Sequence, residues 1–164
     1  MSQDVLIELL YGKGAHANPI LAVQSIPSDI AGRKLPGQLH SIAQIVGHMN
    51  YWMEYELRRI GGEEPKYPEH AAESWLAKSS SRDEWHHVVA RFTDLLAKLS
   101  ALAKSDVKFL NQEVKATHAG HAQTASSELA VLWQMVAHNS YHVGQIVLLR
   151  RMMNVWPETA GDTW

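Results

Sequence analysis

Cysteine is missing from all 164 residues of the chain. Disulfide bonds, thiolate catalysis by the protein and cysteine-ligated zinc or iron–sulfur centres are therefore excluded. No apolar run reaches the roughly 18 residues that a membrane-spanning helix needs, and the N-terminus lacks the basic-then-apolar pattern of a signal peptide. The sequence thus predicts a soluble cytoplasmic protein with no membrane partner.

A surplus of one charge is also missing. The chain has 15 Lys and Arg residues and 17 Asp and Glu residues, for a formal net charge of −2. The basic residues occur singly or in pairs, such as Arg58-Arg59 and Arg150-Arg151, and form no stripe that would follow a phosphate backbone. We therefore expect no nucleic-acid partner.

Sustained strand-like alternation is absent, whereas apolar residues recur every three or four positions in four segments. The first segment, residues 3–26, should be kinked or restarted where Asn18 can cap a helix that has Pro19 in its first turn. The other predicted helices cover about residues 41–60, 81–103 and 124–156.

The connections between these helices are rich in proline, glycine and polar residues. Residues 27–40 are interpreted as a loop, residues 61–80 as a long crossover with a short helical turn near Trp75, and residues 104–123 as irregular. No internal repeat or domain boundary is evident. The sequence predicts one domain over residues 1–164, an all-α four-helix bundle with a long crossover between helices 2 and 3.

The longest segment, 124–156, has apolar stripes on two sides, which indicates a helix inside a bundle. One stripe contains Leu129, Leu132, Trp133, Val136, Val143 and Val147; the other contains Val131, Met135, His138, His142, Gln145 and Leu149. His138 and His142 are thus one turn apart on an apolar face. Two imidazoles at this helical spacing can reach the same metal ion. The alternative is a pair of core histidines that donate to carbonyls or tyrosines, and spacing alone leaves both open.

The chain contains 10 histidines, so a third ligand is available. His48 is the best candidate because it lies mid-helix at the edge of an inward stripe, and His16, at the break in the first segment, is a weaker one. His118 and His121 form a second pair in a predicted loop, either a separate site or a solvated segment. The remaining histidines are interpreted as surface residues or assigned no role: His40, His70, His86 and His87.

Other metal and catalytic arrangements lack their motifs. The sequence has no His-Glu-x-x-His, and only one Glu-x-x-His, at Glu84 and His87, where a di-iron bundle needs two. No carboxylate accompanies His138 and His142, as a two-histidine iron triad would require. A Ser–His–Asp triad, a phosphate-binding glycine loop and paired carboxylates are not evident either, so no catalytic residue is assigned.

Two segments together resemble the DinB (damage-inducible, YfiT-like) superfamily: HSIAQIVGHMNYW at 40–52 and WQMVAHNSYHVGQIVLLRR at 133–151, followed by a final Trp-Pro. The resemblance implies a four-helix bundle, often a homodimer, in which three histidines bind a divalent metal such as zinc or nickel. By position these ligands would be His48, His138 and His142.

The resemblance also implies a function, since better-understood relatives are transferases or isomerases that use bacillithiol, mycothiol or glutathione. Three imidazoles leave one open position on a four-coordinate zinc, where a thiol could ionise. Our leading hypothesis is a metal-dependent thiol transferase acting on a small-molecule electrophile. The alternatives are a non-catalytic stress-response metal-binding module and a zinc hydrolase that uses bound water.

Five residues are expected near the metal because they neighbour the three histidines in sequence. They are Tyr51, Trp52, Asn139, Tyr141 and Gln145, and among them Trp52, Tyr141 and Gln145 are taken as the pocket. Gln145 alone lies on the same helix face as His138 and His142.

Overall fold

A computed structural model describes residues 3–75, 81–115 and 126–157. Its helices are α1 (Gln3–Leu10), α2 (Pro19–Val23), α3 (Ser28–Ala31), α4 (Ile42–Ile60), α5 (Arg82–Ala103), α6 (Val107–Leu110) and α7 (Glu128–Met152). A 3-10 turn, Ala71–Ser74, lies between α4 and α5, and the two-residue strands β1 (Glu113–Val114) and β2 (Ser126–Ser127) pair in antiparallel fashion. The prediction of an all-α protein is confirmed.

Four helices surround the core. Helix α4 packs against α5 and α7, and α1 packs against the same two helices on the other side. Their facing surfaces bury a continuous apolar cluster that includes Met49 and Met53 of α4, Phe92 and Leu96 of α5 and Leu132 of α7. The predicted apolar stripes therefore meet in one core, as the helical period requires.

Helices α4 and α5 begin where the sequence predicted, and each begins with a capping box. The hydroxyl of Ser41 accepts from the amide of Gln44 (3.3 Å), and the Gln44 side chain accepts from the amide of Ser41 (3.1 Å). Ser81 and Glu84 make the same pair of bonds. Each cap satisfies amides that the first helical turn leaves unpaired, which stabilises the helix by about 1 kcal/mol.

The first segment restarts as predicted, because Asn18 Oδ1 accepts from the amide of Ile20 (2.8 Å) and Pro19 opens α2. The predicted loop 27–40 differs from expectation, since it contains the single turn α3. A four-residue turn is too short to display a helical period, which explains why the pattern missed it.

Helix α7 is shorter than the predicted 124–156; Thr124 lies outside the described residues. Ser127 caps its first turn by accepting from the amide of Ala130 (3.2 Å). At the other end Asn154 is left-handed (φ 57°), and the amide of Val155 donates to the carbonyl of Arg150 (2.9 Å). This is a Schellman ending, which stops the helix at Met152.

The hydropathy needed to cross a bilayer is not reached by α7 or by any other helix in the described ranges.

Candidate metal centre

Three histidines converge between α4 and α7. His48 comes from α4, and His138 and His142 come from successive turns of α7. One ring nitrogen from each lies within 4.8 Å of the others, and Nε2 of His48 is 3.3 Å from Nε2 of His138. His48 and His142 are buried, and His138 is half-buried. Among the described residues, this is the group of three whose nitrogen atoms could hold one metal ion.

Ser74 fixes the proton of His48. Its hydroxyl donates to the carbonyl of Ala71 (2.8 Å), so the same oxygen can accept from Nδ1 of His48 (3.0 Å). The carbonyl of Ser74 also accepts from that nitrogen (3.3 Å). Because Nδ1 therefore carries the proton, Nε2 keeps a free lone pair and faces His138.

Gln145 performs the same task for His142. Its Oε1 lies 2.7 Å from Nδ1 of His142, at the i, i+3 spacing that brings helical side chains together. A carboxamide oxygen only accepts, so Nδ1 donates and Nε2 is again left with its lone pair. The sequence placed Gln145 on the ligand face, and the structure shows it orienting a histidine from there.

His138 is different, because its buried Nδ1 makes no hydrogen bond of normal geometry. The adjacent Asn139 has a buried Oδ1 that also lacks a partner, while its Nδ2 donates to Sδ of Met53 (3.3 Å). The Asn139 side chain is close enough to oppose the fall in the pKa of His138. A small adjustment would pair the two atoms and give His138, too, an outer acceptor.

The three imidazoles are bases that stay neutral. Burial, followed by the charges of His142 and His138, lowers the pKa of His48 to about 4. Burial, with a contribution from His142, lowers the pKa of His138 to about 4, and burial lowers the pKa of His142 as well. All three rings are therefore deprotonated at pH 7, which is the form that binds metal ions.

The geometry fits a divalent ion. Two nitrogens at about 2.0–2.1 Å from a tetrahedral zinc lie about 3.3–3.4 Å apart. The two Nε2 atoms of His48 and His138 are separated by 3.3 Å. A direct hydrogen bond between them would leave Nδ1 of His138 as a buried acceptor without a donor, which costs about 1–3 kcal/mol. Nitrogen donors suit zinc and nickel. The three histidines could therefore hold such an ion.

Stacked rings hold His48 from the side. Trp75 lies parallel to His48, with centroids 3.9 Å apart, and His40 lies parallel to Trp75 at 3.5 Å. Two imidazoles this close to one indole cannot lie side by side, so they cover its opposite faces. The sequence assigned His40 no role, and the structure places it as the outer ring of this stack.

A cleft of about 430 Å³ opens beside His48. It is lined by His48, Trp52, Tyr67, Pro68, Glu69, Ala71, Ser74 and Trp75. Of these residues, sequence reasoning selected only His48 and Trp52. The others belong to the crossover after α4, where no helical period marks them; the expected turn near Trp75 was the one indication.

The remaining candidates lie elsewhere. Tyr141 is exposed, with its ring 5.0 Å from that of His142, and it does not line the cleft. Tyr51 lines a separate cavity with Tyr55 and Arg58. His16 lines a cavity beside Trp156 and does not belong to the three-histidine group. His118 and His121 lie outside the described residues.

A protein-family model described as the DinB superfamily matches residues 20–146, well over half of the chain. The match contains His48, His138 and His142, and it leaves out α1 and the C-terminal end of α7. No curated protein matches the chain.

Proposed function

The chain belongs to the DinB superfamily, and on that premise we propose that it is a metal-dependent transferase that joins a low-molecular-weight thiol to a small electrophile. The observation that carries the proposal is the convergence of three neutral imidazoles beside a cleft. We assign His48, His138 and His142 as the ligands. Bacillithiol, mycothiol and glutathione are the thiol class, and zinc or nickel is the ion.

A divalent ion on three imidazole nitrogens would have an open coordination position and would lower the pKa of a thiol that reaches it. In the overall reaction a bond forms between the thiol sulfur and a carbon of the electrophile. The leaving group departs with the electron pair of its bond, and the thiol proton passes to solvent.

Neighbouring side chains of the protein fix the orientation of the imidazole rings. Ser74 and Gln145 each accept from a histidine Nδ1, at 3.0 and 2.7 Å, and so direct the two opposite nitrogens inward. Trp75 fixes the plane of His48 by stacking on it. A site assembled before the ligand arrives avoids the free-energy cost of ordering these side chains during binding.

The described residues that line the cleft include no strong base, which favours thiol transfer over hydrolysis. Glu69 is the carboxylate that lines it, and Lys66 donates to that group at 2.7 Å. This bond holds the pKa of Glu69 below its usual value, so the carboxylate is a weak proton acceptor. Activation of water usually needs a general base, whereas a thiol ionises more readily on its own.

The test is a matrix of thiols and electrophiles. Metal-loaded protein is incubated with bacillithiol, mycothiol or glutathione and with chlorodinitrobenzene, and His142→Ala is assayed in parallel. The proposal expects turnover that needs both thiol and metal and that His142→Ala abolishes. Turnover with water alone would instead identify a zinc hydrolase, and metal binding without turnover in any pairing would identify a non-catalytic stress-response module.

Low-molecular-weight thiols are kept reduced in the cytoplasm, so this function would place the protein there. We further propose a homodimer, which would bury the exposed apolar residues Tyr141, Leu148 and Met152 of α7. Their spacing of seven and four positions puts them on one helix face. Sedimentation equilibrium should show a dimer that Leu148→Glu dissociates, whereas a wild-type monomer at all concentrations would contradict the proposal.

A further inference from the structure

The aromatic rings around the cleft differ in what covers them. His40 and His48 occupy the two faces of Trp75, at 3.5 and 3.9 Å, so a ligand can meet only its edge. Trp52 also lines the cleft, but its neighbours meet it at steep angles. Among the described residues, none stacks parallel on Trp52.

The contacts of Trp52 form a frame around its ring. The rings of Tyr51 and Tyr55 lie 5.3 and 5.4 Å away at interplanar angles of 81° and 73°. Tyr67, across the cleft, lies at 5.7 Å and 51°. These tilted contacts hold the indole in place and put no parallel ring on its faces among the described residues, so a flat group in the cleft can pack against Trp52 and Tyr67.

The charge of the cleft narrows the choice of ligand. Among the described residues, its lining includes the carboxylate of Glu69 and no lysine or arginine; Lys66, outside the lining, donates to that carboxylate at 2.7 Å. An anionic group in the cleft would be repelled by Glu69 or would have to compete with it for Lys66, whereas an uncharged group would not be penalised.

Resting on the proposed function, we propose that this cleft binds the electrophile and selects one that has a flat, uncharged group, an aromatic ring or a conjugated system. The group packs against Trp52 and Tyr67 and meets the edge of Trp75. The reacting carbon then points along the cleft to His48, the one member of the three-histidine group that lines it.

The experiment measures binding and does not depend on turnover. The full-length protein, metal-free and metal-loaded, is titrated calorimetrically with 2,4-dinitrotoluene, which is neutral, and with 2,4-dinitrobenzoate, which has a similar shape and is anionic. Neither probe has a leaving group. Dinitrotoluene should bind at least fivefold more tightly than dinitrobenzoate. Trp52→Leu and Tyr67→Leu should each weaken dinitrotoluene binding about five- to tenfold, as expected for the loss of one stacking partner.

Phe109→Leu is the matched control, because it removes an exposed ring of α6 that does not line the cleft and should leave binding unchanged. Circular dichroism establishes that each variant is folded. Equal affinity for the two probes, or unchanged dinitrotoluene binding in both cleft variants, overturns the inference even if thiol transfer is found. If transfer is not found and the binding pattern holds, the inference about the cleft stands and the proposed function falls.

Discussion

Two of the buried polar groups in the described part of this bundle, Arg150 and the three histidines, differ in how their polar atoms are satisfied. Arg150, on α7, is almost fully buried, and its guanidinium donates to the carbonyls of Leu21, Ala22, Gln24 and Val155 at 2.9–3.2 Å. These carbonyls belong to α2, its C-terminal end and the chain after α7. The buried cation thus joins three pieces of the chain and satisfies backbone acceptors that α2 leaves unpaired.

His138 and His142 lie on α7, as Arg150 does, and His48 lies on α4. Their inner nitrogens face each other and no hydrogen-bond donor. Nε2 of His48 and of His142 keep lone pairs because Ser74 and Gln145 hold the protons on the other side. Nδ1 of His138 makes no hydrogen bond of normal geometry. Such an arrangement costs folding free energy. The difference teaches that Arg150 is buried where it stabilises the fold, whereas the buried histidines form a site that could hold a metal ion.

Substituting Arg150 should have the largest effect on the free energy of unfolding. Arg150→Met leaves four carbonyl acceptors of α2 and the α7 ending without their donor. We expect it to lower the free energy of unfolding by about 3–4 kcal/mol, measured by urea denaturation. Metal affinity per folded molecule should not change. Arg150→Lys keeps one donor and should lose less. Wild-type stability in Arg150→Met would show that these bonds contribute little.

Substituting one of the three histidines should instead weaken metal binding and leave the free energy of unfolding almost unchanged. His142→Ala removes one of the three proposed ligands, and we expect it to weaken zinc binding at least about 100-fold in a chelator competition. The unfolding free energy of the metal-free protein should change by less than about 1 kcal/mol, because an unsatisfied polar group is lost along with its packing. His86→Ala, an exposed histidine of α5, is the matched control. Equal zinc affinity in both variants would exclude His142 as a ligand.

The sequence predicted the part of this site that lies on α4 and α7, but not the part that lies in the crossover after α4. A period of 3.6 residues is enough to place His48 on α4 and His138 and His142 on one face of α7, since helix geometry fixes the direction of each side chain. The same rule identified Gln145. The three histidines are the inner layer of the site, and Gln145 belongs to its outer layer. The family resemblance, and not the period, implied that His48 would meet the other two histidines.

The rest of the outer layer could not be predicted in the same way. Ser74 and Trp75 lie in the crossover, and His40 precedes the cap of α4, so no repeat fixes their direction. Their contacts with His48 depend on how the crossover folds back over α4, a long-range event that local spacing does not encode. The C-terminal end of α7 was also misplaced. The left-handed residue after the helix is Asn154, whereas a glycine at that position would have indicated the end clearly.

The outer layer can be tested by substituting the acceptors. Gln145→Leu removes the acceptor for Nδ1 of His142, and Ser74→Ala removes the hydroxyl that accepts from His48. We expect each to weaken zinc binding about tenfold, at the lower end of the effects of outer partners on metal sites. Gln145→Glu keeps an acceptor oxygen and should retain most of the affinity. If Gln145→Leu binds zinc as tightly as wild type, the 2.7 Å contact does not orient the ligand.

The smallest expected effect is that of moderate acid on metal binding. Three ordinary histidines with pKa values near 6.5 would lose several hundredfold in affinity between pH 7 and pH 5.5, because protons compete for each nitrogen. Burial lowers the pKa of His48 and of His138 to about 4 and also lowers that of His142. Protons therefore compete weakly at pH 5.5, and we expect the loss of zinc affinity to stay below about tenfold.

The same lowered pKa values should make the stability of the metal-free protein depend on pH. Its unfolded chain takes up protons on these histidines near pH 6.5, whereas the folded protein resists them until about pH 4. The histidines' contribution is therefore fully present above pH 6.5 and is lost as the pH falls towards 4, so unfolding by urea should become easier over that range. His142→Ala should flatten this dependence, and Arg150→Met should leave its slope unchanged. A several-hundredfold loss of zinc affinity by pH 5.5 would mean that the three rings are not shielded from protons, and the contrast with Arg150 would then be one of geometry alone.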